Sequence, residues 1–329
     1  MSNSKVEILW NYFGNKKKVA PYIWNRIGNV DISFEPFCGT AAWTLLRPMS
    51  HFHKKTKIKE VINDKNGYVA NFFRAVQNDP EKVAYYADSP TNEIELVARY
   101  KYLRRNKSTT VQLMKESPTW YCPKRAGWFA WGLCCWIGTS EFIHFSTNAN
   151  NKMPELFSDK GILKQEKKTF SDNCMWTIDW KRHKVEKRLQ ILSNRLRYVT
   201  VACGDWKRIV NATLANRLYG IFLDPPYMGD YNPYNSSKIG KHKNQNIRDE
   251  ILEWAPEYGQ QKNVRIAIAG YADDGYGQLV KKHNWEVYAW SASGGYAVLG
   301  KGETKNNRHK ERLYFSPYCL PAKRGLFNV

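Results

Sequence analysis

The 329-residue sequence predicts a doubly wound α/β domain with a mixed sheet, interrupted by a mainly helical insertion. Three observations predict it. Apolar runs that end in acidic residues alternate with helical patterns in both the first and the last part of the chain. A stretch crowded with aromatic and basic residues separates those parts, and the length suits one large domain or a core with a smaller insertion. The sheet-bearing parts are expected at 1–79 and 198–329, the insertion at 80–197.

Each element has its own warrant. Ile32-Ser-Phe-Glu35 reads as a short strand, followed by a turn at Pro36-Phe-Cys-Gly39 and a helix opening at Ala41 that stops near Pro48. Glu60-Val-Ile-Asn63 is a second strand running into Asp64, and the spacing of Val69, Phe72, Phe73 and Val76 predicts a helix after it. The strand pattern returns at Tyr198–Cys203, Tyr219–Asp224, Arg265–Gly270 and Glu311–Ser316. Between them, Tyr121–Trp131 and Asp179–Arg188 interleave aromatic and basic residues. Trp120, Tyr121, Trp128, Phe129, Trp131 and Trp136 suit the core of a small domain, or in part a wedge that fills a gap in a base stack. No repeat at a solenoid period is visible.

With 51 Lys and Arg against 30 Asp and Glu, the formal charge of +21 exceeds what solubility needs and points to a polyanionic partner. No apolar run reaches the ~18 residues that span a bilayer, and neither terminus carries a basic amphipathic helix. The N-terminus lacks the apolar core of a secretory signal, so a reducing cytoplasm and free thiols are expected. Of the seven cysteines, Cys122, Cys134, Cys135 and Cys174 share a region with His144 and His183. They read as ordinary buried thiols, and no metal site is expected.

The chemistry concentrates at Asp224-Pro225-Pro226-Tyr227, at the C-terminal end of an apolar strand, where open α/β sheets bind ligands. An exocyclic adenine amino group is a poor nucleophile because its lone pair is delocalised into the ring. A carboxylate and a backbone carbonyl that accept both N–H bonds draw that nitrogen toward tetrahedral geometry, and Asp224 with the carbonyl of Pro225 supplies such a pair. The prolines fix φ and stiffen the acceptors, while Tyr227 offers a ring to an extruded base. Taken alone, the tetrapeptide equally suits a proline-rich turn closed by a core tyrosine. Its company favours the chemistry: a strand-to-helix turn at Phe34–Ala41 where Gly39 permits close backbone approach, and the acidic strand end Asn63-Asp64, able to hold ribose hydroxyls.

Together with Tyr12-Phe13-Gly14-Asn15-Lys16 near the N-terminus, these motifs in this order resemble the Dam-type, alpha-group DNA N6-adenine methyltransferases. Two positions depart from that family's pattern: Asn15 and Ala41 stand where it usually has glycine. The resemblance implies the Rossmann-like fold of S-adenosylmethionine-dependent methyltransferases, with a target-recognition domain as the insertion. It assigns Tyr12, Lys16, Glu35, Phe37, Gly39, Asp64, Asp205 and Trp206 to S-adenosyl-L-methionine, and Asp224, Pro225, Pro226 and Tyr227 to catalysis on a flipped-out adenine in double-stranded DNA. Aspartate at 224, where N4-cytosine enzymes carry serine, favours adenine. It further implies a monomer of bacterial or phage setting, compatible with a cognate restriction endonuclease. Methylation of cytosine N4 or of RNA adenine, and an inactive DNA-binding relative, are the alternatives.

Within the insertion, Arg99, Lys101, Arg104 and Arg105 fall on one predicted helix, and Lys124, Arg125, Lys181, Arg182, Lys184, Lys187 and Arg188 follow. Such residues form a solvated face or contact phosphates; the overall charge favours phosphates, with Arg99, Arg104, Arg105, Lys124, Arg125, Lys181 and Arg182 as the candidates. The polar segment from Gly229 to Lys243 suits a mobile loop or a linker.

Overall fold

The computed structural model describes residues 16–52, 58–90, 93–135, 183–210, 216–226, 238–290 and 311–322. In chain order the elements begin with helix α1 (Ala20–Ile27), strand β1 (Ile32–Glu35), helix α2 (Ala42–Leu45) and strand β2 (Lys59–Asp64). Helices α3 (Gly67–Asn78), α4 (Pro80–Ala87), α5 (Glu93–Arg105), α6 (Lys107–Glu116), α7 (Pro123–Cys135) and α8 (His183–Leu196) follow. The chain then forms β3 (Val199–Cys203), α9 (Lys207–Val210), β4 (Tyr219–Leu223), α10 (Lys238–Gly259), β5 (Val264–Tyr271), α11 (Gly277–His283), β6 (Glu286–Ala289) and β7 (Glu311–Phe315).

The sheet has the order β3-β2-β1-β4-β5-β7-β6. Strands β2, β1, β4 and β5 pair in parallel, while β7 is antiparallel to both β5 and β6. This is the expected mixed, doubly wound α/β sheet. Every expected strand is present. Strand β6 was not foreseen, because its exposed, charged edge sequence Glu-Val-Tyr-Ala carries no alternation.

The described residues fall into two compact units, one within Asp64–Asp205 and one within Lys16–Asn63 and Trp206–Val329. In the second unit β4, Tyr-Gly-Ile-Phe-Leu, is buried throughout, as a central parallel strand must be. Its odd-numbered side chains Tyr219, Ile221 and Leu223 join Ile266, Ile268, Trp254 and Tyr276 on one face. Phe222 joins Ala267, Ala269, Trp24 and Trp43 on the other. Gly220 is required there: a Cβ would come within 2.7 Å of Ile27 Cγ2.

In the helical unit α3 packs on α6, α7 and α8, and α4 packs on α7 and α8. Gly127 lets α7 touch α4 backbone to backbone, since a Cβ would lie 2.7 Å from the Val83 carbonyl oxygen and 2.9 Å from Ala87 N. Asn71 and Cys122 exchange two hydrogen bonds, of 3.0 and 2.8 Å. Phe129 and Trp131 are core residues. Residues 64–79 and 198–205, expected with the sheet-bearing part, cluster with these helices because α3 is buried among them. No described helix is long and apolar enough to cross a membrane. Lys238–Lys243, expected within a mobile loop, open α10.

Candidate active site

The turn after β1 is held from below. Glu35, buried at the strand end, accepts hydrogen bonds from the backbone N–H groups of Trp43 (3.3 Å) and Thr44 (2.9 Å) in α2. Burial outweighs these bonds and raises the Glu35 carboxyl from 4.5 to about 7, with the negative charge of Asp224 adding a smaller push. Cys38 N–H donates to the Asn63 carbonyl (2.9 Å), and Asn63 Nδ2 donates to that of Pro36 (2.9 Å). Gly39 takes φ 47° and Ala41 φ 53°. Ala41 thus adopts the left-handed conformation that the expected glycine would supply, at a cost of about 1–2 kcal/mol for its Cβ.

Asp224 follows β4 and is paired with Lys16, whose Nζ lies 3.0 Å from Asp224 Oδ1. The lysine side chain is 2% exposed and the aspartate 22%. An ammonium this deep is stable only beside an anion, so each member fixes the other. Side chains alternate along strands, so Asp224 shares the face of Phe222, the face on which α1 and α2 pack. Glu35 lies on that same face: Phe34 pairs in register with Ile221 and belongs to the opposite one. Lys16, Glu35, Gly39 and Asp224 therefore converge at one end of the sheet. Pro225 is buried and Pro226 half-buried behind Asp224. Tyr12 and Tyr227 lie outside the described residues.

Phe37 is half-buried, with its ring 6.0 Å from that of Trp206. Trp206, expected against a cofactor's adenine, is instead a core residue at 3% exposure. Its ring meets Trp254 edge-on at 5.4 Å and its indole N–H donates to Glu250 at 3.2 Å. Burial and a satisfied N–H turn it into the floor beneath Phe37. In the helical unit, Asp64 is half-exposed at the end of β2 and its Oδ1 accepts the Asn66 N–H at 2.8 Å. Gly204 N–H donates to the Asp64 carbonyl at 3.3 Å, and Asp205 is exposed next to it.

The cations of the helical unit divide. Arg125 is 9% exposed and donates to Thr110 Oγ1 (3.0 Å) and Asn106 Oδ1 (2.9 Å). Arg99, equally buried, lies 4.2 Å from the Trp131 ring and pairs with Glu95. Burial lowers the Arg99 pKa below its ordinary value. These two expected DNA contacts are therefore interior struts: their guanidinium groups are committed to the fold and face away from solvent. Arg105 is exposed, Arg104 is half-buried, and Lys124 lies 4.5 Å over the Trp128 ring. Arg104, Lys107, Ser108, Gln112 and Lys115 line an open cavity of about 600 Å³ on α5 and α6. Lys181 and Arg182 lie outside the described residues.

Sequence reasoning missed Tyr271 and Glu311. They sit opposite each other in the β5–β7 register, on the face shared by Ala269, Leu313 and Phe315 and therefore by Asp224. The signal was present in strand parity, but using it required the pairing register.

Residues 12–125 match the family model of the D12 class N6 adenine-specific DNA methyltransferases. The match takes in the glycine turn, Asp64 and helices α3 to α6. No curated protein is similar enough to the chain to be matched with it.

Proposed function

Because residues 12–125 match the family model of the D12 class N6 adenine-specific DNA methyltransferases, we propose that the chain transfers a methyl group from S-adenosyl-L-methionine to N6 of an adenine extruded from double-stranded DNA. The observation that carries this reading is the pairing of the buried Lys16 with the half-buried Asp224 at the end of β4, on the same sheet face as Glu35 and the turn at Gly39.

The groups present suit this cofactor. Phe37 offers a half-buried ring to an adenine. The left-handed residues Gly39 and Ala41 shape a turn that lets backbone come close to a ligand. When bound, the donor would supply an electrophilic methyl group on a sulfonium: the N6 lone pair would form the N–CH3 bond as the S–CH3 bond breaks, the neutral thioether S-adenosylhomocysteine would leave with that electron pair, and one N6 proton would pass to solvent. Asp224 accepts one N–H of the amino group and the Pro225 carbonyl the other, raising the electron density at N6. Lys16, 3.0 Å from Asp224 Oδ1, orients the Asp224 carboxylate, so the acceptor is set before the base arrives. Glu35 ties the glycine turn to α2 and keeps its backbone in place.

The DNA is assigned to Arg104, Arg105 and Lys124, together with Lys107 and Lys115 of the α6 cavity, through phosphate contacts. Weak sequence specificity or a restriction partner are both compatible with this arrangement. Nucleoside analysis of unmethylated DNA after incubation with S-adenosylmethionine tests the proposal. N6-methyladenine is the expected product; N4-methylcytosine, or no modified base, overturns it.

A further inference from the structure

Tyr271 is the last residue of β5 and is half-buried. The parallel register sets Leu223 beside Ile268, which puts Asp224 level with Ala269. Tyr271 is the next residue of β5 on the same face. With strands about 4.8 Å apart and two residues advancing about 6.6 Å, the two α-carbons lie about 8 Å apart. The negative charge of Asp224 is among those that raise the Tyr271 phenol, after burial and the charges of Glu311 and Asp274.

The backbone beneath Tyr271 is fixed. Its N–H donates to Asp274 Oδ2 at 2.6 Å, and its carbonyl accepts from Asp274 N–H at 3.2 Å. The Tyr314 hydroxyl approaches that carbonyl at 3.5 Å. At Gly270 a Cβ would come within 2.8 Å of the Tyr276 ring and 3.1 Å of Asp274 Oδ2, so the strand end is closely packed. Across the strand pair, Glu311 is 7% exposed and directly opposite Tyr271. A half-buried aromatic ring on such a fixed support can form one wall of a ligand pocket.

Strand order says what arrives. The glycine turn follows β1, on one side of β4, and β5 lies on the other. In-line displacement places donor and acceptor on opposite sides of the moving methyl. With the donor on the β1 side of Asp224, the base approaches from the β5 side, where Tyr271 ends. We propose that Tyr271 forms the β5-side wall of the base pocket, its ring packing on the extruded adenine while Asp224 grips the amino group, with Glu311 setting the ring's place. The inference rests on the adenine-methyltransferase reading above.

The test is single-turnover methylation of unmethylated DNA at saturating S-adenosylmethionine by the full chain, with calorimetric S-adenosylmethionine binding and thermal unfolding alongside. Tyr271→Ala is expected to slow transfer about 10- to 100-fold, the weight of one lost aromatic–base stack, with cofactor affinity unchanged within about twofold. Tyr271→Phe, which keeps the ring, is expected to stay within about threefold of wild type. Should Tyr271→Ala fold poorly, Tyr271→Leu fills the space without a π-face and is expected to be as slow. Transfer at the wild-type rate in Ala or Leu overturns the proposal, as does a Phe variant as slow as Ala or a loss confined to cofactor binding. A wild-type chain that modifies no adenine instead sinks the underlying reading, and this inference with it.

Discussion

The two units handle charge in opposite ways. In the sheet unit, the ionisable groups at the candidate site are drawn inward and matched: Glu35 to the amides of α2, Lys16 to Asp224. In the helical unit, cations that look alike in the sequence part company, with Arg99 and Arg125 bracing the interior while Arg105 stays in solvent. Burial makes a charge costly unless it is paired, so a buried polar group at a strand end marks a geometry that the fold maintains for a purpose. A basic residue on a helix carries no such mark until its direction is known.

The largest expected effect that sharpens this contrast lies at Glu35. Its carboxyl sits at about 7 in the folded protein against an ordinary 4.5, so the folded state keeps a proton that the unfolded chain releases between those values. Its contribution to stability is fully present below about pH 4.5 and is lost as the pH rises through about 7, a swing of about 3 kcal/mol. Urea denaturation across that range should show Glu35→Gln gaining on wild type by about this amount as the pH rises. A difference that stays constant with pH would break the contrast on the sheet side.

Next in size is Arg125. Removing it takes a hydrogen bond from the buried Thr110 Oγ1 and another from the half-buried Asn106 Oδ1, so Arg125→Ala should destabilise the protein by about 2 kcal/mol. If Arg125→Ala instead weakened DNA binding at unchanged stability, the arginine would belong to the interface after all. The smallest effect is expected for Arg105→Ala: stability within about 0.5 kcal/mol of wild type, with the log–log salt slope of DNA binding shallower by about 0.9, one phosphate contact. An unchanged slope removes Arg105 from the contact set.

The same contrast explains what could be read from the sequence. Strand ends at Glu35 and Asp224 were legible because apolar runs that stop at an acid leave few alternatives. The inward turn of Arg99 was not, since α5 presents cations to both sides and the ring of Trp131 that receives Arg99 lies 32 positions later. The motif around Trp206 suits a ligand contact, while the partners that make it a core residue, Trp254 and Glu250, come from a helix more than 40 positions away. Tyr271 and Glu311 became visible only once β5 and β7 were in register.

The most direct test of the account is the rate of methyl transfer by Asp224→Asn, measured in a single turnover with labelled S-adenosylmethionine and unmethylated DNA. The amide keeps the shape of the side chain but replaces the carboxylate facing Lys16 with a neutral group. The account predicts no detectable transfer while DNA affinity stays within about twofold of wild type. Transfer at a rate comparable to wild type would contradict it.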